Sequence, residues 1–317
     1  MEKNKIILDC DPGHDDAIAM MLAYGSPNID LLAVTTVAGN QDIEKVTYNA
    51  LAIARVCNMK NITIAKGASR PIIRSNKENA AAIHGESGLD GPKLPIPVHA
   101  LDKRHAVQVI IDTVMQNPPN TITLVPTGPL TNIALAVRLE PKIADRVKEV
   151  VLMGGSSYIG NWSAVAEFNI KIDPEAAYIV FNEKWPITMI GLNLTHQALA
   201  TKEVISQIAA LNTKPADFMC SLINFFGQAY QKEQGFAAPP IHDPCAVAYV
   251  IDPSLIKTRR VPIDIELTGS YTLGMTVCDF RKANYEDCHT QIALELDHKR
   301  FWNLITDALR RIGHTDF

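Results

Sequence analysis

The sequence predicts an α/β fold: an open, mostly parallel sheet covered by helices on both faces, with a smaller antiparallel extension near the C-terminus. Three observations carry that expectation. Short apolar runs alternate with stretches of helical period, the chemically distinctive polar residues fall just beyond those runs, and after about residue 255 the pattern turns strand-rich.

Residues 5–10, KIILDC, read as a buried strand, and 17–24, AIAMMLAY, as an apolar helix directly after it. LLAVTTV at 31–37 is a second strand, running through AGN into a long helix over roughly 42–57. Further strands fit ITIA at 62–65, ITLVP at 122–126, EVVLMG at 149–154 and ITMIG at 187–191. Helices fit 104–116, 129–139, 174–183 and 202–232, the last interrupted near Pro215. The segment 66–103 contains HGESGLDG and few regular signals, which marks it as a lid or active-site wall rather than scaffold. IDIELTG and TQIALELD then supply the antiparallel extension before a final helix from about 299. No linker or internal repeat divides the chain, so residues 1–317 are expected to form one domain.

Composition narrows the function. At 47% hydrophobic and 20% charged the chain is too apolar to be disordered, and a net charge of -4 gives no broad cationic surface for nucleic acid. The opening MEKNKIILDCD has too short an apolar run for a signal peptide, and no stretch reaches ~18 uncharged apolar residues. A soluble, cytoplasmic protein without a membrane partner is expected. The six cysteines include no CxxC pair, which argues against zinc or iron-sulfur chemistry.

The first chemical signal is DCDPGHDDA, holding Asp9, Asp11, Asp15 and Asp16. Residues two apart on a strand share a side, so Asp9 and Asp11 can reach one place if the strand continues. Pro12 keeps Asp11 extended, Gly13 allows a tight turn, and Asp15 and Asp16 open a helix. Helix capping explains one or two of these aspartates. Four around one strand end would repel one another unless a cation compensated, and an all-oxygen site suits Ca²⁺, Mg²⁺ or Mn²⁺. Asn40, Thr127, Asn161, Glu167, Asn169, His242 and Asp243 lie beyond later strand ends or in loops and are candidates to complete the site. The Thr127 backbone carbonyl would add a neutral oxygen to a crowd of charges.

A hydrophobic strand followed by DxD also fits a Mg²⁺-dependent phosphohydrolase with an aspartate nucleophile. That reading calls for a phosphate-holding lysine and a late acidic pair, whereas this chain offers IHDP and amides, which suit sugar hydroxyls. A nucleotide-binding module lacks support, since neither GxGxxG nor a GK[ST] loop is present. A nucleoside binder without turnover is the remaining alternative.

DCDPGHDDA, AGN at 38–40, TGPLTNIA at 127–134, VLMGG at 151–155, AEFNIKIDPEAA at 166–177 and IHDP at 241–244 together resemble the inosine-uridine-preferring nucleoside hydrolases, across essentially the whole chain. The resemblance implies hydrolysis of ribonucleosides to ribose and free base, one Ca²⁺ per subunit, and a homotetramer or dimer. It implies Asp11, Asp16, the Thr127 carbonyl and Asp243 as metal ligands, with Asp11 also the general base for the attacking water. Asp15, Asn40, Glu167 and Asn169 would hold ribose hydroxyls, with Asn161 near the 5′-hydroxyl and Met153 at the pocket wall. Asp9 would support the ligands without being one.

On the base side, His242 is a candidate proton donor to the leaving group, since imidazole is matched to proton transfer near neutral pH. His84 would approach from the 66–103 wall, and His14 would contribute at most to the pocket. Purine-selective members of the family commonly stack the base between tryptophans, and here only Trp162 falls near the motifs. Tyr230 and Gln234, four apart on one helical face, resemble in reversed order a glutamine-tyrosine pair of bacterial pyrimidine-preferring members. Uridine and cytidine are therefore expected ahead of inosine, with a purine or broad specificity as the alternative.

Overall fold

A computed structural model describes residues 3–75, 78–283 and 285–313. The strands in chain order are β1 (Asn4–Cys10), β2 (Ile29–Thr36), β3 (Thr63–Lys66), β4 (Ile122–Pro126), β5 (Glu149–Met153), β6 (Ile187–Ile190), β7 (Ile256–Arg260), β8 (Ile263–Ile265), β9 (Thr276–Cys278) and β10 (Thr290–Leu296). Eight of them form one sheet in the order β3-β2-β1-β4-β5-β6-β10-β7. Every pairing is parallel except that of β10 with β7. Strands β8 and β9 pair as a separate antiparallel ribbon.

The helices are α1 (His14–Gly25), α2 (Ile43–Val56), α3 (Ala81–His84), α4 (Ala106–Gln116), α5 (Thr131–Leu139), α6 (Phe168–Ile172), α7 (Pro174–Phe181), α8 (Leu192–Thr195), α9 (Lys202–Ala209), α10 (Lys214–Gln234), α11 (Pro244–Ile251) and α12 (His298–Gly313). Side chains of β1 alternate between two cores, as its period of two requires. Ile6, Leu8 and Cys10 pack with α1, α10, α11 and α12, while Ile7 packs with α4, α5 and α7 on the opposite face. Helix α12 buries Phe301, Trp302, Ile305, Ala308, Leu309 and Ile312, a stripe at i, i+1, i+4, i+7, i+8 and i+11.

Two local expectations hold and one shifts. Asp15 and Asp16 open the helix after β1 as expected, in the first turn of α1 from His14, where Asp16 Oδ2 accepts the Gly13 N–H (3.0 Å). The stretch 202–232 is interrupted near Pro215 as expected, between α9 and α10. Asn212 takes a left-handed φ of 50°, Thr213 caps the next helix, and Pro215 occupies its first turn, where no N–H is needed. The antiparallel extension exists, but β10 enters the main sheet parallel to β6, IKTRR supplies the antiparallel edge strand β7, and only IDI of the expected strand pairs, with β9. No helix among the described residues is long and apolar enough to cross a membrane.

Candidate active site

The carboxyl ends of β1, β2, β4 and β5 open onto a cavity of about 250 Å³. Asp11 lies just past β1, Asn40 past β2, Thr127 past β4, and Met153 ends β5. Between β1 and α1 the chain turns so tightly that a Cβ on Gly13 would lie 2.6 Å from His84 Cε1 and Nδ1. Glycine is what lets the His84 ring sit against the first turn of α1.

Asp15, Asp16 and Asp243 are buried and offer carboxylate oxygens that all lie within 4.8 Å of one another. Asp16 is held on both oxygens: Oδ1 accepts from Thr127 Oγ1 (2.9 Å) and the Asp11 N–H (3.3 Å), and Oδ2 from the Gly13 N–H and Asn40 Nδ2 (3.2 Å). Asp11 stands beside this trio rather than within it. Its Oδ2 accepts the Asn40 N–H (2.6 Å), and its Oδ1 is buried with no hydrogen-bond partner. Burial and neighbouring carboxylates push the Asp11 and Asp243 carboxyls well above their ordinary range and that of Asp15 up to about 7. Burial alone is the main cause of the rise at Asp16.

Among the described residues no lysine or arginine offsets these charges. Four crowded carboxyls with an orphaned oxygen and no basic partner are the donor set of a hard cation, and the residues fit one. Asp9 is different. Its Oδ1 accepts from Thr35 Oγ1 (2.6 Å) and Asn132 Nδ2 (2.8 Å), so it braces β1 against β2 and α5.

Asn169 Nδ2 donates to the Thr127 carbonyl (2.7 Å) and the Met153 carbonyl (3.2 Å), tying the ends of β4 and β5 together. Glu167 caps α6 by accepting the Asn169 and Ile170 N–H groups, and its Oε2 also takes the Gly155 N–H (2.9 Å). Burial pushes its carboxyl up to about 7 against the pull of those three donors. Asn161 Oδ1 accepts the Phe168 N–H (2.9 Å), and Trp162 packs edge-on against Phe168 while donating to Glu78 (2.6 Å).

Three histidines line or back the cavity. His242 Nδ1 is 2.7 Å from Thr195 Oγ1, its Nε2 is 2.7 Å from the Tyr230 hydroxyl, and burial lowers its pKa to about 3. His84 is buried and its pKa falls well below the ordinary value through burial and then His14. Behind it, His14 stacks on Phe225 and Phe226.

Asp15, Asn40, His84, Thr127, Met153, Asn161, Glu167, Asn169, Tyr230, Gln234, His242 and Asp243 all line the one cavity, with Asp11 and Asp16 beneath it. Tyr230 is buried and Gln234 half-buried at the last turn of α10. Trp185 and Trp302 are packed away from it. Sequence reasoning missed Phe226, Phe168, Ile83 and Glu233 in the lining, and Thr195 behind His242. Phe226 was legible as the residue one turn before Tyr230; Thr195 carried no signal. Among the described residues the lining contains no lysine or arginine to pair with a phosphate.

Residues 6–303 match the family model described as inosine-uridine preferring nucleoside hydrolase. An inosine-uridine preferring nucleoside hydrolase of Crithidia fasciculata is 57% identical over 310 residues, 98% of each chain. The pyrimidine-specific ribonucleoside hydrolase RihB of Escherichia coli O9:H4 (strain HS) is 41% identical over the same share of both chains. Among solved structures, a purine-preferring ribonucleoside hydrolase from Gardnerella vaginalis superposes with a TM-score of 0.90 at 35% identity, covering 98% of this chain and 99% of that one.

Proposed function

The chain belongs to the inosine-uridine preferring nucleoside hydrolase family, and from that premise we propose that it cleaves the N-glycosidic bond of ribonucleosides with Ca²⁺ held by Asp11, Asp16, the Thr127 carbonyl and Asp243. The observation that carries the reading is the buried carboxylate group opening on a cavity lined by amides, carboxyls, two histidines and aromatic rings, with no lysine or arginine among its described lining residues.

When bound, the cation lowers the pKa of the attacking water and offsets the crowded charges. Asp11, whose Oδ1 has no partner in the protein, takes the proton from that water. Asp15, Asn40, Glu167 and Asn169 grip the ribose hydroxyls, and Asn161 the 5′-hydroxyl, with Met153 at the wall. As the bond to the base stretches, positive charge develops on the ribose ring, and the surrounding carboxylates stabilise it. The Tyr230 hydroxyl, 2.7 Å from His242 Nε2, hands the departing base its proton and is resupplied from His242, whose ring must first take up a proton against the burial that lowers its pKa to about 3.

The pair Tyr230 and Gln234 favours uridine and cytidine over inosine if both contact the base. One observation shifts this ranking: the Tyr230 hydroxyl is engaged by His242, leaving Gln234 as the free amide. The names of the 57% identical relatives point the same way, so uridine and inosine are the proposed substrates. The six cysteines are free thiols, which suits the cytoplasm, and the proposed assembly is a homotetramer. Release of ribose from uridine, cytidine and inosine, with and without prior removal of divalent cations, tests the proposal. Metal-dependent release sustains it, and no release from any nucleoside with metal restored sinks it.

A further inference from the structure

Strands β8 and β9 stand outside the main sheet and put no residue in the cavity, yet Thr276 of β9 reaches the chain that leaves β5. Its hydroxyl accepts the Ser156 N–H (2.8 Å) and donates to the Ser156 carbonyl (2.5 Å), so one side chain holds both backbone polar groups of that residue. Both residues are buried, and water does not compete for those groups. One residue earlier, the Gly155 carbonyl accepts the Leu192 N–H (2.9 Å). These contacts together fix the peptide between Gly155 and Ser156.

Gly155 is where that clamp meets the site. It takes a left-handed φ of 70°, and a Cβ there would lie 2.7 Å from Thr276 Cγ2 and 2.8 Å from Met189 Sδ. Glycine adopts this conformation without strain, but it is also the residue whose dihedrals are least restrained by its own atoms. The direction of its N–H therefore depends on what holds the next peptide. That N–H donates to Glu167 Oε2 (2.9 Å). The other two donors to the Glu167 carboxylate, the Asn169 and Ile170 N–H groups, belong to α6, the helix that Glu167 itself caps, and they move with it. Gly155 is the donor that registers the carboxylate against the end of β5.

We infer that Thr276 is a positioning residue: its clamp on Ser156 aims the Gly155 N–H and so sets the Glu167 carboxylate where the ribose is gripped. The inference rests on the nucleoside reading with Glu167 on the sugar. It deepens that reading by giving the β8–β9 ribbon a part in the reaction without any contact to substrate. A threonine that served the ribbon alone would matter equally whatever stood at position 167. One that acts through Glu167 matters only while there is a carboxylate to place.

A double-mutant cycle on the metal-replete protein separates the two cases. It compares kcat/KM for uridine and for 4-nitrophenyl β-D-riboside in the native protein, Thr276→Val, Glu167→Ala and the double variant. The aryl leaving group departs without a proton, so that substrate reports the sugar side alone. A misplacement of about 1 Å can cost about 100-fold. Thr276→Val is therefore expected to lose more than about tenfold by itself and less than about twofold beside Glu167→Ala, on both substrates. Thr276→Ser keeps the hydroxyl and drops only a methyl group, and it should stay within about threefold of the native value. If Thr276→Val does not fold, Thr276→Ala takes its place in the cycle. Equal losses in the two backgrounds, an unchanged Thr276→Val, or a loss beyond about tenfold in Thr276→Ser overturns the positioning role. A native protein that cleaves neither substrate overturns the nucleoside reading instead.

Discussion

The Tyr230 hydroxyl and His242 Nε2 lie 2.7 Å apart, and with Thr195 on Nδ1 both nitrogens of the His242 ring are engaged inside the protein. A proton passing from His242 to a base therefore travels by way of Tyr230. General acid catalysis contributes about 100- to 10,000-fold. His242→Ala should lower kcat for uridine by that order with KM changed less than about threefold, and Tyr230→Phe should fall in between. Steady-state ribose release decides it, and unchanged turnover in His242→Ala removes that residue from the mechanism.

Removing divalent cations should take activity below about 1%, with Ca²⁺ restoring it. Asp243→Asn should weaken Ca²⁺ binding by at least about tenfold, read by calorimetry, because it removes one of the three carboxylates that converge within 4.8 Å. At a cation concentration a hundred times Kd, the folded state should gain about 2.7 kcal/mol. Full activity in the presence of a strong chelator would contradict the site.

Glu167 sets the direction of a pH dependence. Its folded pKa is raised to about 7 by burial, from the ordinary 4.5. Between those values the folded chain keeps a proton that the unfolded chain has shed, so stability is full below pH 4.5, falls as pH rises through 7 and then levels off. The shift corresponds to about 3 kcal/mol. Urea unfolding of metal-free protein from pH 5 to 8 should show the decline, and Glu167→Gln should make it shallower, the rest of the slope belonging to the other buried carboxyls. An equal slope in both proteins would assign the whole effect to those groups, Asp9 and Asp15 being also raised to about 7.

Gly39 has no room for a side chain: a Cβ would lie 2.2 Å from Asp11 Oδ2 and 2.8 Å from Pro129 Cδ. Gly39→Ala should displace Asp11, lower kcat more than about tenfold and destabilise the protein by about 1 to 3 kcal/mol. Wild-type kcat in this variant would mean that the exact seat of Asp11 is unimportant.

Four polar side chains proposed for the ribose hydroxyls line the cavity together. Loss of a buried hydrogen-bonded hydroxyl leaves their groups unpaired. 2′-Deoxyuridine should therefore be cleaved more than about 100-fold less efficiently than uridine. Comparable kcat/KM values would remove the ribose grip from the account.

Much of this was legible before any coordinates. The parallel sheet showed itself because β1, β4, β5 and β6 are short apolar runs buried on both faces, with helices between them. The carboxylates were visible because Asp11, Asp15 and Asp16 lie within six residues of one another. What stayed hidden depended on long-range pairing. Strand β7, IKTRR, is charged and lies at an edge, so it lacks an apolar signature. Thr195 reaches His242 across 47 residues, and His14 meets His84 across 70, through contacts that no local period announces. The loop carrying His84 lacked regular signals because side chains from α2 hold it instead of a backbone ladder.

The placement of β10 orders the assembly of the molecule in time. Strands β1 to β6 can pair as they leave the ribosome, since each finds a neighbour among segments already made. Edge strand β7 cannot, because its ladder is with β10, and residues 290–296 are synthesised after it. Until then the flank of β6 is an open template and β7 is unpaired, while the chain already carries every residue proposed for the reaction. Substitutions in β10 are therefore expected to act first on the yield of folded protein rather than on the chemistry of the finished one.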